Sequence, residues 1–329
     1  MRQQDFEQHA APRWSALRRA LEDLQRPPTR QRLKPAERAA LPRLYRQICN
    51  DYAVVRSRHY SPALAAELHE LVLQGHRQLY RRQDAWGWRL LSFVLADFPR
   101  TLRAQARYFW LACALFLLPA LLLGTGCFLD SDLLYSLLEE SQVAEMESMY
   151  DPANHKIGRG AGRSADSDFA MFGFYISNNI GVGFRTFAGG IFLGIGAVFF
   201  LVFNGLVIGG VAGHLTRVGF TDTFWPFVSG HGSFELTAIV ICGAAGLMLG
   251  HALIAPGPFP RGQALRQRAK PALLLVMGAA AMLVVAAFIE AFWSSSGLPS
   301  LVKYSVAAAL WLLVIAYLGL AGRGGRGTR

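Results

Sequence analysis

The chain has 329 residues, of which 53% are hydrophobic and 17% charged, and it carries a formal net charge of +11. This balance is too apolar for an ordinary soluble domain and fits a polytopic membrane protein with a soluble portion. The positive charge gathers beside apolar runs and accompanies no DNA- or RNA-binding motif, so no nucleic-acid partner is expected.

Residues 1–103 read as a helical domain with an interfacial helix at its end. Trp14, Leu17, Leu21 and Leu24 recur at helical spacing, and Arg26-Pro27-Pro28-Thr29 breaks that helix. A second helix starts near Pro35 and carries Leu41, Leu44, Ile48, Tyr52 and Val55 on one stripe, with Pro42 in its early part. Ser61-Pro62 supplies an N-cap and a proline at the first helical position. The helix that follows shows Leu64, Leu68, Leu71, Val72 and Leu79. The polar N-terminus lacks an apolar signal core, so no cleavable signal peptide is expected.

Trp86 to Arg107 holds an apolar piece too short to span a bilayer, then Pro99, then Arg100, Arg103 and Arg107. It is expected to lie at the membrane surface with its tryptophans at headgroup level. The first span follows at 108–128, long enough for a bilayer. The loop at 129–168 is acidic, with Glu139, Glu140, Glu145 and Glu147 among its carboxylates, against Lys156, Arg159 and Arg163. Gly158 to Gly162 reads as a mobile stretch. Residues 1–107 hold 20 Lys/Arg against 10 Asp/Glu. The bias places the N-terminus in the cytoplasm and this loop outside.

Basic residues return in the loop at 256–271 and in the tail 323–329, through Arg323, Arg326 and Arg329, so both are expected inside. An odd number of crossings must then lie between Asp168 and Pro256. Spans are expected at 169–187, 189–214 and 234–255, followed by 272–293 and 302–321. The predicted fold is all-α: a transmembrane domain of about six helices over 104–322, with both termini cytoplasmic. The span at 169–187 contains Asn178, Asn179 and Arg185 and reads as either a full crossing or a re-entrant segment.

The run 177–257 is the centre of the chain. Asn178, Asn179, Arg185, Asn204, His231 and Glu235 lie within or beside its apolar stretches. Polar groups in hydrocarbon are costly and face protein or water, which makes each a candidate for a ligand, translocation or structural site. Gly190/Gly194, Gly205/Gly209, Gly209/Gly213 and Gly246/Gly250 are each four apart, a spacing that lets helices approach closely within the bundle or across a homo-oligomer. Asn204 faces such a strip and is expected to hydrogen-bond a neighbouring helix.

His231 and Glu235 share one helical face at the expected start of the fourth span, with Gly230 and Gly232 suggesting a special turn and Ser233 a cap. One reading is a cap with a local ion pair; the other is a proton-linked or ligand-binding pair near Asn178, Asn179 and Arg185. HGSFE has one histidine where a zinc protease motif has two, and neither His214 nor His251 is placed to complete a site, so no metal and no cofactor are expected. Glu290 reads as a surface carboxylate with Lys303 across a short loop. The four cysteines are scattered and read as free thiols. No nucleophile–base pair is visible, so no catalytic residue is assigned.

Asn178-Asn179, the Gly-rich span, Asn204-Gly205, His231-Gly232 with Glu235-Leu236, Gly246 and Ala255-Pro256 together resemble the stage II sporulation protein M family. Trp14 with Leu17, Tyr45-Arg46, the helix from Leu71 to Tyr80 and Phe98-Pro99 resemble its larger bacterial members. The resemblance implies an integral membrane protein. In the spore-forming branch that names the family, the member belongs to a membrane complex with peptidoglycan hydrolases. Two classes of function follow as expectations. One is a non-catalytic scaffold that recruits envelope proteins through its acidic loop and its cytoplasmic domain. The other is a transporter or lipid translocase that uses the polar cluster. Membrane lipids are partners in both.

Overall fold

The computed structural model describes residues 2–25, 33–79, 85–154 and 165–323, all in helices and connecting turns without a strand among them. The expected break at Arg26-Pro27-Pro28-Thr29, the mobile stretch 158–162 with Lys156, Arg159 and Arg163, and the arginines at 326 and 329 lie outside the described residues. The chain divides into two units, 1–88 and 89–329.

The first unit is a three-helix bundle: α1 (Gln3–Gln25), α2 (Pro35–Ser57) and α3 (Pro62–Leu79). Its core holds Trp14, Leu17 and Leu21 of α1, Leu41, Ile48 and Val55 of α2, and Leu64, Leu68 and Leu71 of α3, which are the stripes legible in the sequence. Pro12 and Pro42 are accommodated inside helices. Asp51, 6% exposed, fixes α2 to α1. Its carboxylate accepts from Arg13 Nε (2.5 Å) and Nη2 (2.6 Å) and from the Trp14 indole (2.9 Å). Hydrogen bonding to Asp51 raises the Arg13 guanidinium above its ordinary value.

The second unit begins within α4 (Ala85–Ser92) and continues through a π-helical turn (Phe93–Asp97) into α5 (Phe98–Ala104). Trp88, Leu90 and Leu91 of α4 are exposed. Phe98 and Leu102 of α5 are buried, and Phe98 fills the hollow at Gly278 so closely that a Cβ there would collide with its ring. Residues 93–104 are therefore docked into the helical bundle. Arg103 donates to the carbonyls of Leu318 and Ala321 (both 2.6 Å), and Arg100 Nε to that of Gly322 (2.5 Å). These three carbonyls end the last helix, where basic donors are favoured.

Six long helices follow: α6 (Ala106–Leu129), α8 (Ala165–Ala188), α9 (Ile195–Arg217), α10 (Thr221–Ile254), α11 (Arg261–Phe288) and α12 (Ser300–Leu320), with α7 (Glu140–Tyr150) between α6 and α8. All but α8 are long and apolar enough to cross a membrane, α11 being counted with its π-helical extension to Ser294. Helix α8 has the length, but Asn178, Asn179 and Arg185 dilute its apolar content. Helix α10 is the axis of the unit, packed against α6, α8, α9, α11 and α12. It starts at Thr221 rather than near residue 234. His231, Gly230, Gly232 and Ser233 are therefore interior to a helix, not at its start. Ser233 Oγ donates to the Gly230 carbonyl (2.9 Å) and caps nothing.

Small residues set the helix spacing. A Cβ at Gly205, Gly209 or Gly213 of α9 would overlap the carbonyls of Phe116, Ala120 and Gly124 of α6. A Cβ at Gly190 would overlap Gly246, and one at Gly250 would overlap Gly194. Between α8 and α9 a short 3₁₀ turn (Gly189–Ile191) leads to Leu193 and Gly194 in the left-handed region (φ 52° and 82°), and Gly194 is the N-cap of α9. Glycine adopts that conformation without strain, and here it also lets the chain lie against α10.

Candidate functional site

The polar groups of the second unit meet near the α7 end of the bundle. Helix α10 supplies His231 (5% exposed) and, one turn on, Glu235. His231 Nε2 lies 3.7 Å from Glu235 Oε2. Helix α11 runs into a π-helical turn (Ile289–Ser294) that brings Glu290 and Ser294 to the same place. Such turns insert one residue into a helix and are frequent at functional sites. His231 Nδ1 is 3.0 Å from Ser294 Oγ. One metal-ligating atom each from His231, Glu235 and Glu290 lie within 4.8 Å of one another. Glu290 is thus not the expected surface carboxylate: it belongs to the cluster, and its Oε2 is buried without a hydrogen-bond partner.

Helix α8 contributes Asn179 (3% exposed), which faces Glu290. Its Oδ1 accepts from Asn178 Nδ2 (3.1 Å), while its own Nδ2 has no partner within hydrogen-bond distance. Helix α12 contributes Lys303, 1% exposed, whose ammonium donates to the Ser294 carbonyl (2.7 Å) inside the unit and not on an exposed loop. Tyr150, the last residue of α7, closes the cluster from outside the spans, with its ring edge-on to Phe224 and Phe227 of α10. Burial, and after it the nearby Glu290, Tyr175 and Glu235, raise the Tyr150 hydroxyl above its ordinary value, so it stays neutral.

Other expected members lie elsewhere. Arg185 is exposed on a face of α8 away from the cluster and bonds back to the Gly181 carbonyl of its own helix (3.1 Å). Asn178 is exposed beside Asn179. Asn204 donates to the Phe200 carbonyl in its own helix (2.7 Å) instead of to a neighbour. His214 Nε2 meets Glu147 Oε1 of α7 at 2.7 Å. His251 lies twenty residues beyond His231 on α10, about 30 Å along the axis, where Nδ1 meets the Tyr108 hydroxyl at 2.5 Å. There a groove of about 540 Å³ opens among Arg107, Tyr108, Leu193, Val198 and Leu247, and the Arg107 guanidinium stacks over the Tyr108 ring. Sequence reasoning missed Asn179 as the inward member of its pair, and Glu290, Ser294 and Lys303. The available signal was two charges, Glu290 and Lys303, flanking the short connection between two apolar runs.

The fold and cluster define a polytopic α-helical membrane protein with an ionisable site enclosed by its helices. The family model for stage II sporulation protein M matches residues 112–295, and the chain belongs to that family. A second model, for a domain of unknown function, matches residues 4–81, the three-helix unit. No curated protein and no solved structure matches the chain.

Proposed function

We propose that this chain is a non-catalytic subunit of bacterial envelope remodelling that recruits protein partners at the inner membrane, with both termini in the cytoplasm. The observation that carries the reading is the seating of α7. Val143 and Tyr150 are buried beneath it and Glu147 is tied to His214, while Glu139, Glu140 and Glu145 stay exposed. A short acidic helix held this firmly presents fixed negative charge to a basic partner surface. The three-helix unit, read as cytoplasmic, offers a second docking surface. Family membership supports a place in an envelope assembly.

The test is a photo-crosslinker at position 145 in native membranes. Crosslinks to an envelope hydrolase or its membrane anchor are expected, and Glu139→Lys with Glu140→Lys should abolish them together with cellular function. Normal function in a charge-reversed protein at wild-type abundance would remove α7 as the docking surface. Cysteines introduced at 145 and 267 should label from opposite sides of the membrane; labelling from one side would overturn the orientation.

A second reading is supported by the unpartnered Asn179 Nδ2 and Glu290 Oε2. Polar atoms left open among membrane-spanning helices suit a transporter or lipid translocase that binds its ligand there.

A further inference from the structure

We propose that His231, Glu235 and Glu290 form a binding site for a divalent transition-metal cation of the zinc class. The proposal concerns the cluster alone and holds with or without the docking role of α7.

Four observations carry it. First, the donor set is one imidazole and two carboxylates, a combination that binds zinc and leaves a coordination position open. Second, the geometry is nearly assembled. Ligands about 2.0–2.2 Å from a tetrahedral ion lie about 3.3–3.6 Å apart, and His231 Nε2 and Glu235 Oε2 stand at 3.7 Å. All three donor atoms fall within 4.8 Å of one another, so small side-chain rotations suffice. Third, the surroundings already orient the ligands. His231 Nδ1 lies 3.0 Å from Ser294 Oγ, and when Nδ1 carries the proton Nε2 keeps its lone pair on the side of Glu235, 3.7 Å away. Metal-bound histidines are held this way by a second hydrogen bond. Fourth, a carboxylate oxygen is open: Glu290 Oε2 is buried without a partner, and the Asn179 amide, 3% exposed, lies beside Glu290, where its N–H can support the carboxylate.

Charge agrees. Two carboxylates this close in an apolar bundle repel unless they share a proton or a cation. Lys303 donates to the Ser294 carbonyl beside them, and Glu235 and Glu290, when both are ionised, bring two negative charges to the cluster. A divalent ion neutralises those two charges, and Tyr150 lies close to both carboxylates. Among the described residues, His214 with Glu147 offers only two ligands.

The experiment uses the full chain in lipid nanodiscs, stripped with chelator and titrated with zinc, and with cobalt(II) as the spectroscopic probe. About one ion per chain is expected, with visible ligand-field bands of a low-coordinate cobalt site. Glu290→Gln and Glu235→Gln should abolish stoichiometric binding. Ser294→Ala should weaken it about 10-fold, the effect of losing a supporting hydrogen bond. Glu147→Gln should leave it unchanged. No binding to the wild-type protein, or binding that survives both glutamate variants, overturns the proposal. So does loss of binding in Glu147→Gln, which would put the ion at His214. Where a variant does not fold, zinc-edge X-ray absorption of the wild-type protein decides. An oxygen-rich shell with one imidazole supports the site, and a sulfur-bearing shell overturns it.

Discussion

Glu147 of α7 holds His214 of α9 at 2.7 Å, and the histidine is 3% exposed. The contact joins a helix from the acidic loop to the membrane-spanning bundle, and Tyr150, one turn further along α7, is seated on Phe224 and Phe227 by the same docking. The position of the acidic face therefore depends on a side chain beneath it. Glu147→Ala should leave the imidazole without its acceptor, at a cost of about 1–3 kcal/mol. Hydrogen exchange across 140–150 should accelerate while α10 and α11 stay protected. Unchanged exchange would show that Val143 and Tyr150 seat the helix without it.

Gly209 tests helix spacing. A Cβ there would overlap the Ala120 carbonyl, which is backbone and cannot swing aside. Gly209→Leu should force α6 and α9 apart and destabilise the unit by about 1–3 kcal/mol through overpacking. The melting temperature in detergent reads this. A variant with unchanged melting temperature would require that the two helices separate at little cost.

Asp51 carries three hydrogen bonds from α1 into α2. Asp51→Asn keeps the shape but removes the charge and leaves one amide oxygen for the three donors. Because Arg13 is partly exposed (35%), the ion pair itself is screened, and most of the loss comes from the hydrogen bonds. About 2 kcal/mol is expected, read as faster exchange in 3–25 with the membrane-spanning unit unaffected. Equal exchange in both proteins would mean that the apolar stripes alone hold the bundle.

The elements were legible in proportion to how cleanly they bury apolar surface. The stripes of Trp14, Leu41 and Leu64 have a plain 3.6-residue period, and the helices that bear them follow it. The apolar run at 106–129 reads as a helix for the same reason. The start of α10 was not legible, because Pro226, Gly230, Gly232 and Ser233 look like a turn when their neighbours are unknown. Buried on every side, those residues continue the helix. The site was half legible. His231 and Glu235 are four apart on one helix, so their meeting is local. Glu290 joins them only because the helix carrying it packs on α10 and widens into a π turn. Arg185 failed in the opposite way: its charge suggested a buried partner, but the face of α8 that carries it points away from the bundle.

Glu235→Gln separates the roles open to the cluster. The substitution preserves shape and removes one of two adjacent carboxylates. Were Glu235 half of a structural ion pair with His231, breaking it would cost about 3–5 kcal/mol by leaving a buried charge alone. The geometry argues otherwise: the pair is at 3.7 Å and Glu290 Oε2 has no partner, so the carboxylates burden the fold more than they support it. In chelator, the variant should be as stable as the wild-type protein, or up to about 2 kcal/mol more stable, since replacing buried charge is often neutral or stabilising. Added zinc should raise the wild-type melting temperature, because a ligand bound only to the folded state stabilises it, and should leave the variant unmoved. Cellular function should fall in the variant at normal abundance. A variant several kcal/mol less stable in chelator would make Glu235 a structural partner of His231. Normal function at normal stability would make the cluster dispensable and leave the docking surface of α7 as the functional element.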